Sequence, residues 1–579
     1  RQDSSQPSHG NTGNWVFLAV LIGFFTLCFS LGRVPLLQPD EGRNAEVARE
    51  MKIASAWLVP TYNGVDYLDK PAFFFKAVAL SLAAFGDNEA AARLPSSLFA
   101  VALAALTFWF CRRVYGSGRV ASFAAIIVAT MPLYFAHARI VIFDMTLAFF
   151  VCAAIFAGYL AEETHDRSRR NWYLLGSVAA GFATLVKGPV GFLIPILVLL
   201  VAQPLAGRRG AWKRLFAPLN FVVFFAVTLP WFIGLCIERP DFLHYGLVEE
   251  TFKRFTSAKT FQRGKPFYYY AVIVATTFFP WSLLLPEAAL AAWRERRGRH
   301  RADVLCLVWT VLVVVFFSIS RSKQPAYILS AVVACGILLA RLCDAALTNP
   351  RGRAAGLLWH GTMVFALLLL VALATVIWGY ANPDKFAVLL RTSDDAVSGL
   401  RDHALVIVIS GALVLGVGAW GILRRNARFC FLCLALFCPV LIGANATFLG
   451  KAMTPRSGRP IAEQLRKLSP ETELVALECF PNGVSFYLGR TLTVITKDGA
   501  PLTSNYVLSL LKRPQPWPTN MIPLAEFENW LASRKAPVYL IVSENNQERL
   551  QTLATARGAQ VQQLSSSYFG ALLPAPGGS

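Results

Sequence analysis

A chain of 579 residues that is 55% hydrophobic and only 15% charged is too apolar for an ordinary soluble globule and reads as a polytopic membrane protein. Its formal charge of +21 does not point to nucleic acid, because the basic residues fall in small clusters between apolar runs and not along one soluble face. Ten of its eleven cysteines lie in or beside apolar runs, so no disulfide framework is expected, and Cys430 and Cys433 read as packing within a span.

Residues 1–14 are polar and expected to be a disordered tail. Apolar runs suited to a hydrocarbon core, which takes about 20 helical residues, follow at 15–35, 90–111, 120–138, 142–160, 172–187, 189–206, 218–236, 268–288, 303–320, 325–343, 357–379, 403–423 and 428–448. They make thirteen candidate spans, with only Lys187-Gly188-Pro189 dividing the fifth from the sixth. No A-x-A pattern follows the first run, which is therefore a retained helix. Lys and Arg gather in alternate loops, among them Arg112/Arg113/Arg119, Arg208/Arg209/Lys213/Arg214 and Arg294/Arg296/Arg297. By the positive-inside rule these loops and the N-terminus are cytoplasmic, and everything after residue 448 lies outside with loops 36–89 and 237–267.

The first outer loop is amphipathic, with Val47, Met51, Ala54 and Leu58 on one side and Glu46, Arg49 and Glu50 on the other, which predicts a helix lying along the membrane surface. The second is rich in charge and aromatics. In the tail, 449–579, helices are expected at 461–468, 524–532 and 547–556 and strands at 473–477, 492–495 and 538–542. The whole is then an α-helical polytopic membrane protein of about 13 transmembrane helices over 15–448, followed by a soluble α/β domain. That domain shows no Gly-rich phosphate loop or metal-ligand spacing and is given no catalytic role.

Asp40 and Glu41 follow the first run in Pro39-Asp40-Glu41-Gly42-Arg43. Asp40 stands where a helix N-cap would, so capping and catalysis are both open, and Glu41 in the first turn suits the helix dipole either way. Asp144 opens the fourth span on the same side, where an unpaired carboxylate costs about 3 kcal/mol; Arg139 is the alternative salt-bridge partner. Lys70, in Tyr67-Leu68-Asp69-Lys70-Pro71, is a phosphate ligand or a snorkelling lysine. Lys253, Arg254, Lys259, Arg263 and Lys265 make the second outer loop basic, which suits phosphate groups. Lys187 ends a span on that face, and Arg321-Ser322-Lys323-Gln324-Pro325-Ala326-Tyr327 follows the ninth. A divalent ion is a further option, with Asp40, Glu41, Asp69 and His244 as donors, although no spacing compels it.

Four segments in this order carry a family resemblance: Asp40-Glu41-Gly42-Arg43 running on to Arg49-Glu50-Met51, the Asp69-Lys70-Pro71 turn, Val186-Lys187-Gly188-Pro189-Val190-Gly191, and Ser320-Arg321-Ser322-Lys323-Gln324-Pro325-Ala326-Tyr327. With them, over roughly 15–450, the chain resembles the bacterial lipid A 4-amino-4-deoxy-L-arabinose transferases, which belong with the protein O-mannosyltransferase-like, polyprenyl-phosphate-dependent glycosyltransferases of the type C fold. Gln324 stands where an aliphatic residue is expected. The resemblance implies an undecaprenyl-phosphate aminoarabinose donor, a lipid A phosphate acceptor at the periplasmic face of the inner membrane, inversion at the anomeric carbon, no required cofactor, a monomer among membrane lipids, and resistance to cationic peptides and polymyxin. It also implies roles: Asp40 as the principal catalytic carboxylate with Glu41 and Asp144 beside it; Lys70 with Lys253 or Arg254 on the donor phosphate; and Arg43, Tyr67, Lys323 and Tyr327 in the same cavity. Asp69 and His244 stay with the open question of a metal.

Other classes compete with this reading. A protein O-mannosyltransferase-like enzyme would differ in sugar and acceptor. A transporter would usually show internal repeats and charge at the midplane, whereas here charge gathers at one face and the halves show no repeat. A receptor built on the outer domain leaves the carboxylates unexplained.

Overall fold

The computed structural model describes residues 12–246, 265–295, 301–390, 394–513 and 516–575. Every one of the thirteen apolar runs falls on helix. Seven described helices are long and apolar enough to cross a membrane alone, and two bent pairs raise the number to nine. One pair, Gly118–Thr130 with Pro132–Ala138, turns by 70° where Pro132 removes a backbone donor. The other four runs are helical but short (Thr12–Leu27, Val190–Leu205), polar at one end (Asp166–Lys187), or divided at Pro280 into Tyr269–Thr277 and Leu285–Arg294. The fifth and sixth runs are indeed separate helices, joined through Gly188 at φ +72°.

The first outer loop departs from its expected form. Its helix, Asp40–Ala54, is buried at Glu46, Arg49 and Glu50 as well as at Val47 and Met51, so it is an interior helix and not an amphipathic one on the membrane surface. The polar side meets protein in place of water. Arg49 donates to both oxygens of Glu46 at 2.7 Å and to the Gly489 carbonyl at 3.3 Å, and Glu50 accepts from the Thr61 hydroxyl at 2.6 Å. Gly42 is pressed against Gly483, where an added Cβ would come within 2.6 Å of the Gly483 Cα.

The tail forms a mixed six-stranded sheet in the order Met521–Pro523, Thr493–Thr496, Glu473–Leu477, Val538–Ser543, Tyr568–Leu573, Val561–Gln563. The first four strands run parallel and the last two pair antiparallel. The central strands and the helix Gln547–Ala556 match expectation, while the edge strand at 521–523 and the hairpin strands at 561–563 and 568–573 were not foreseen. One apolar core runs from Tyr62, Tyr67 and Phe75 of the first loop into Phe480, Val484 and Tyr506 of the tail, so this sheet rests directly on the loop that carries the candidate residues.

Candidate active site

Two helix ends bring the first charged pair together. Asp144 begins the helix Asp144–Ala161, where the peptide dipoles favour a carboxylate, and Lys187 ends the helix Asp166–Lys187, where they favour a cation. Their side chains form an ion pair. The Lys187 ammonium also lies 4.9 Å from the Tyr327 ring centre and 5.0 Å from that of Phe143. Arg139, the alternative partner for Asp144, instead donates to the Thr26 carbonyl at 3.2 Å. Asp144 is only 5% exposed, yet it and Lys187 line a cavity of about 700 Å³ together with Lys70, Tyr327 and the apolar surface around Leu147, Phe232 and Phe317. A lipid phosphate fits such a space, its chain against hydrocarbon and its charge against ammonium groups.

The Lys70 ammonium donates to the carbonyl of Asp69. Asp40, Arg43 and Tyr67 are not among the described residues that line the cavity; they sit on the same loop as Lys70. The helix starts at Asp40 with Pro39 in the cap position, so Asp40 is not the N-cap. Its carboxylate pairs with Arg43, its side chain remains 45% exposed, and the Arg43 guanidinium lies 5.8 Å from the Tyr67 ring centre. Burial disfavours the Arg43 charge, but Tyr67, Asp40, Tyr62 and Asp69 outweigh it and lift the guanidinium pKa above its ordinary value.

Glu41 is placed differently from Asp40. Both of its oxygens are taken by Arg93 at 2.8 and 2.9 Å, and they also accept from the Leu37 and Val141 amides. The catalytic role expected for Glu41 has no free oxygen to rest on. Asp69 likewise accepts from the amides of Asn505 and Tyr506 at 3.0 and 2.8 Å and from the Tyr245 hydroxyl at 2.7 Å. With Glu41 and Asp69 so engaged and His244 exposed, these donors do not fit a divalent ion as they are arranged, and the described residues contain no group of three potential ligands. Lys323 donates to the Ser320 carbonyl at 2.6 Å and does not line the cavity, whereas Ser320 and Ser322 do. Lys253 and Arg254 lie outside the described residues.

The second outer loop is also tied to the tail. Asp241 accepts from the Tyr506 hydroxyl at 2.9 Å and pairs with Arg513. Burial pushes its pKa up, but these two donors more than offset that and hold it below the ordinary value. Burial pushes the Glu46 carboxyl up to about 7 in spite of the Arg49 hydrogen bonds. Lys187, placed by the sequence at a span end and within the Val186–Gly191 motif but given no role there, is the cation that pairs with Asp144. Arg93 was not singled out, although an arginine inside an apolar run calls for a buried acid.

Residues 69–233 match the family model described as dolichyl-phosphate-mannose-protein mannosyltransferase. The undecaprenyl phosphate-alpha-4-amino-4-deoxy-L-arabinose arabinosyl transferase of Edwardsiella ictaluri is 31% identical over 440 residues, covering 74% of this chain and 76% of that protein. The Yersinia enterocolitica protein of the same name is 27% identical over 551 residues, covering 92% and 94%. The crystal structure of ArnT from Cupriavidus metallidurans bound to undecaprenyl phosphate superimposes with a TM-score of 0.80 at 25% identity, over 97% of this chain and 98% of that one. On identity of that level and extent, joined to the polytopic fold and the charged cavity, the chain belongs to the undecaprenyl phosphate-alpha-4-amino-4-deoxy-L-arabinose arabinosyl transferases.

Proposed function

We propose that the chain transfers 4-amino-4-deoxy-L-arabinose from undecaprenyl phosphate to a phosphate group of lipid A, the modification that gives resistance to cationic peptides and polymyxin. The observation that carries this reading is the single cavity in which Asp144, Lys187, Lys70 and Tyr327 meet beside an apolar helix surface. The isoprenoid chain of the donor lies along the apolar side and its phosphate faces Lys70 and Lys187. As the bond from the anomeric carbon to the donor phosphate oxygen breaks, the electron pair leaves with that oxygen and meets fixed cations. Asp40 and Asp144 stabilise the oxocarbenium-like sugar. A lipid A phosphate oxyanion then forms the new bond from the opposite face with inversion. The attacking oxygen carries no proton, so Asp40 acts by charge and by orienting the sugar ammonium; a hydroxyl acceptor would require a base.

Arg43, Tyr67, Lys323, Lys253 and Arg254 support the donor end of the same site. The site and the region 449–579 face the periplasm, the N-terminus and the arginine-rich loops face the cytoplasm, and the chain works as a monomer. Mass analysis of lipid A from cells with and without the chain is the test. An added pentosamine is expected; a hexose on proteins would favour the mannosyltransferase reading, and no covalent product would favour transport.

A further inference from the structure

Nothing in its sequence gives the C-terminal domain a chemical role, yet one short segment of it grips both ends of the first loop's charged set. Thr503 accepts two hydrogen bonds from Arg43, at 2.8 Å through its hydroxyl and at 3.2 Å through its carbonyl. Two and three residues on, the amides of Asn505 and Tyr506 hold Asp69, the neighbour of Lys70. Among the described residues Thr503 and Asp40 are the hydrogen-bond acceptors of the Arg43 guanidinium, whose Nε is buried without a partner. Beyond these two acceptors the guanidinium has the Tyr67 ring, 5.8 Å from its centre, as a non-directional contact, so Thr503 and Asp40 set its orientation.

A second observation singles out Thr503. Its backbone is left-handed, at φ +53° and ψ +29°, a conformation that a β-branched residue adopts only under constraint. Glycine would relieve the strain but could not supply the hydroxyl. Strained backbone positions of this kind persist where the surrounding structure holds them.

We infer that Thr503 is a positioning residue, contributed by the C-terminal domain, which fixes Arg43 and through it Asp40 and the donor phosphate end of the site. The inference rests on the proposed function, in which Arg43 belongs to the donor end. Thr503 does not line the cavity and acts through Arg43. It orients a cation that Asp40 and the Tyr67 ring alone hold less closely, so its loss shows in donor binding more than in folding.

The test is the KM for undecaprenyl-phosphate aminoarabinose with lipid A in excess, using the full chain in detergent, together with the unfolding midpoint of each variant. T503S keeps the hydroxyl and is expected to stay near the wild-type KM. T503V should raise KM about tenfold, the scale of one hydrogen bond to a charged group. T503G should unfold no earlier than wild type and still raise KM, which a merely structural threonine would not do. Wild-type KM in T503G overturns the inference, even where T503V does not fold. R43M separates the two levels of the argument. A raised KM in R43M with an unchanged one in T503G removes Thr503 alone, whereas an unchanged KM in R43M removes Arg43 from the donor site and the inference with it.

Discussion

Glu41→Gln distinguishes a structural carboxylate from a catalytic one. Glu41 is 3% exposed and Arg93 is 2% exposed. Arg93 further donates to the carbonyls of Leu31 at 2.8 Å and Pro35 at 3.0 Å, so the pair ties the turn after the first helix to the helix Glu89–Tyr115. Neutralising Glu41 leaves a guanidinium buried without its counter-charge, which costs about 3–5 kcal/mol. E41M/R93M removes both ions together. It leaves amides and carbonyls short of partners, but no lone charge, so its loss should fall below the sum of E41M and R93M by about 2 kcal/mol, within the range for residues in contact. The assay is the unfolding midpoint in detergent, paired with the transfer rate measured below every midpoint. E41Q is expected to unfold early, and E41M/R93M to regain part of both the midpoint and the rate. An E41Q protein with the wild-type midpoint and no transfer would refute the structural assignment and return Glu41 to the chemistry.

Asp40→Asn should abolish transfer while moving the midpoint little, because the Arg43–Asp40 pair has a 45% exposed carboxylate and such pairs contribute about 1 kcal/mol or less; wild-type rates in this variant remove Asp40 from the mechanism. Lys187→Met strips the cavity of a cation and leaves Asp144 buried beside it, so kcat/KM should fall by at least about a hundredfold, the scale of about 2.7 kcal/mol, and D144N/K187M should be more stable than K187M in thermal unfolding. Glu46 predicts a pH dependence. Burial raises its pKa in the folded chain to about 7 from an ordinary value of 4.5, so between those values the native state keeps a proton that the unfolded chain releases. Stability therefore declines as pH rises through that window, by about 1.4 kcal/mol per unit from this group. The midpoint of E46Q should lack that component, and an identical pH profile for E46Q and wild type would remove it. Gly42→Ala sets a Cβ against the Gly483 backbone, and should loosen the C-terminal sheet from the first loop, seen as faster limited proteolysis after residue 449 and a lower transfer rate.

How far the site could be read from sequence depends on whether the information is local. Central strands such as Val538–Ser543 were legible because a run buried on both faces is continuously apolar and β-branched. The three-residue edge strand Met521–Pro523 is too short for any period to show. The helix Asp40–Ala54 was correctly seen as a helix and wrongly assigned a solvent face, since charge on one side of a helix announces only that the side needs polar partners. Here Gly489, Thr61 and Gly64 supply them in place of water.

The adjacent acids Asp40 and Glu41 make the same point at the level of function. Neighbouring residues on a helix point in different directions, so one carboxylate stays half exposed beside Arg43 while the other is enclosed by Arg93. Their adjacency carries no shared role. What the sequence does constrain is the inventory of opposite charges: Arg93 within an apolar run requires an acid, and Asp144 at the start of another requires a cation. The pairing within that inventory is decided by helix packing. Arg139 and Lys187 were both available to Asp144, and Lys187 is the one that meets it, because the helices Asp144–Ala161 and Asp166–Lys187 pack side by side and bring the start of one to the end of the other.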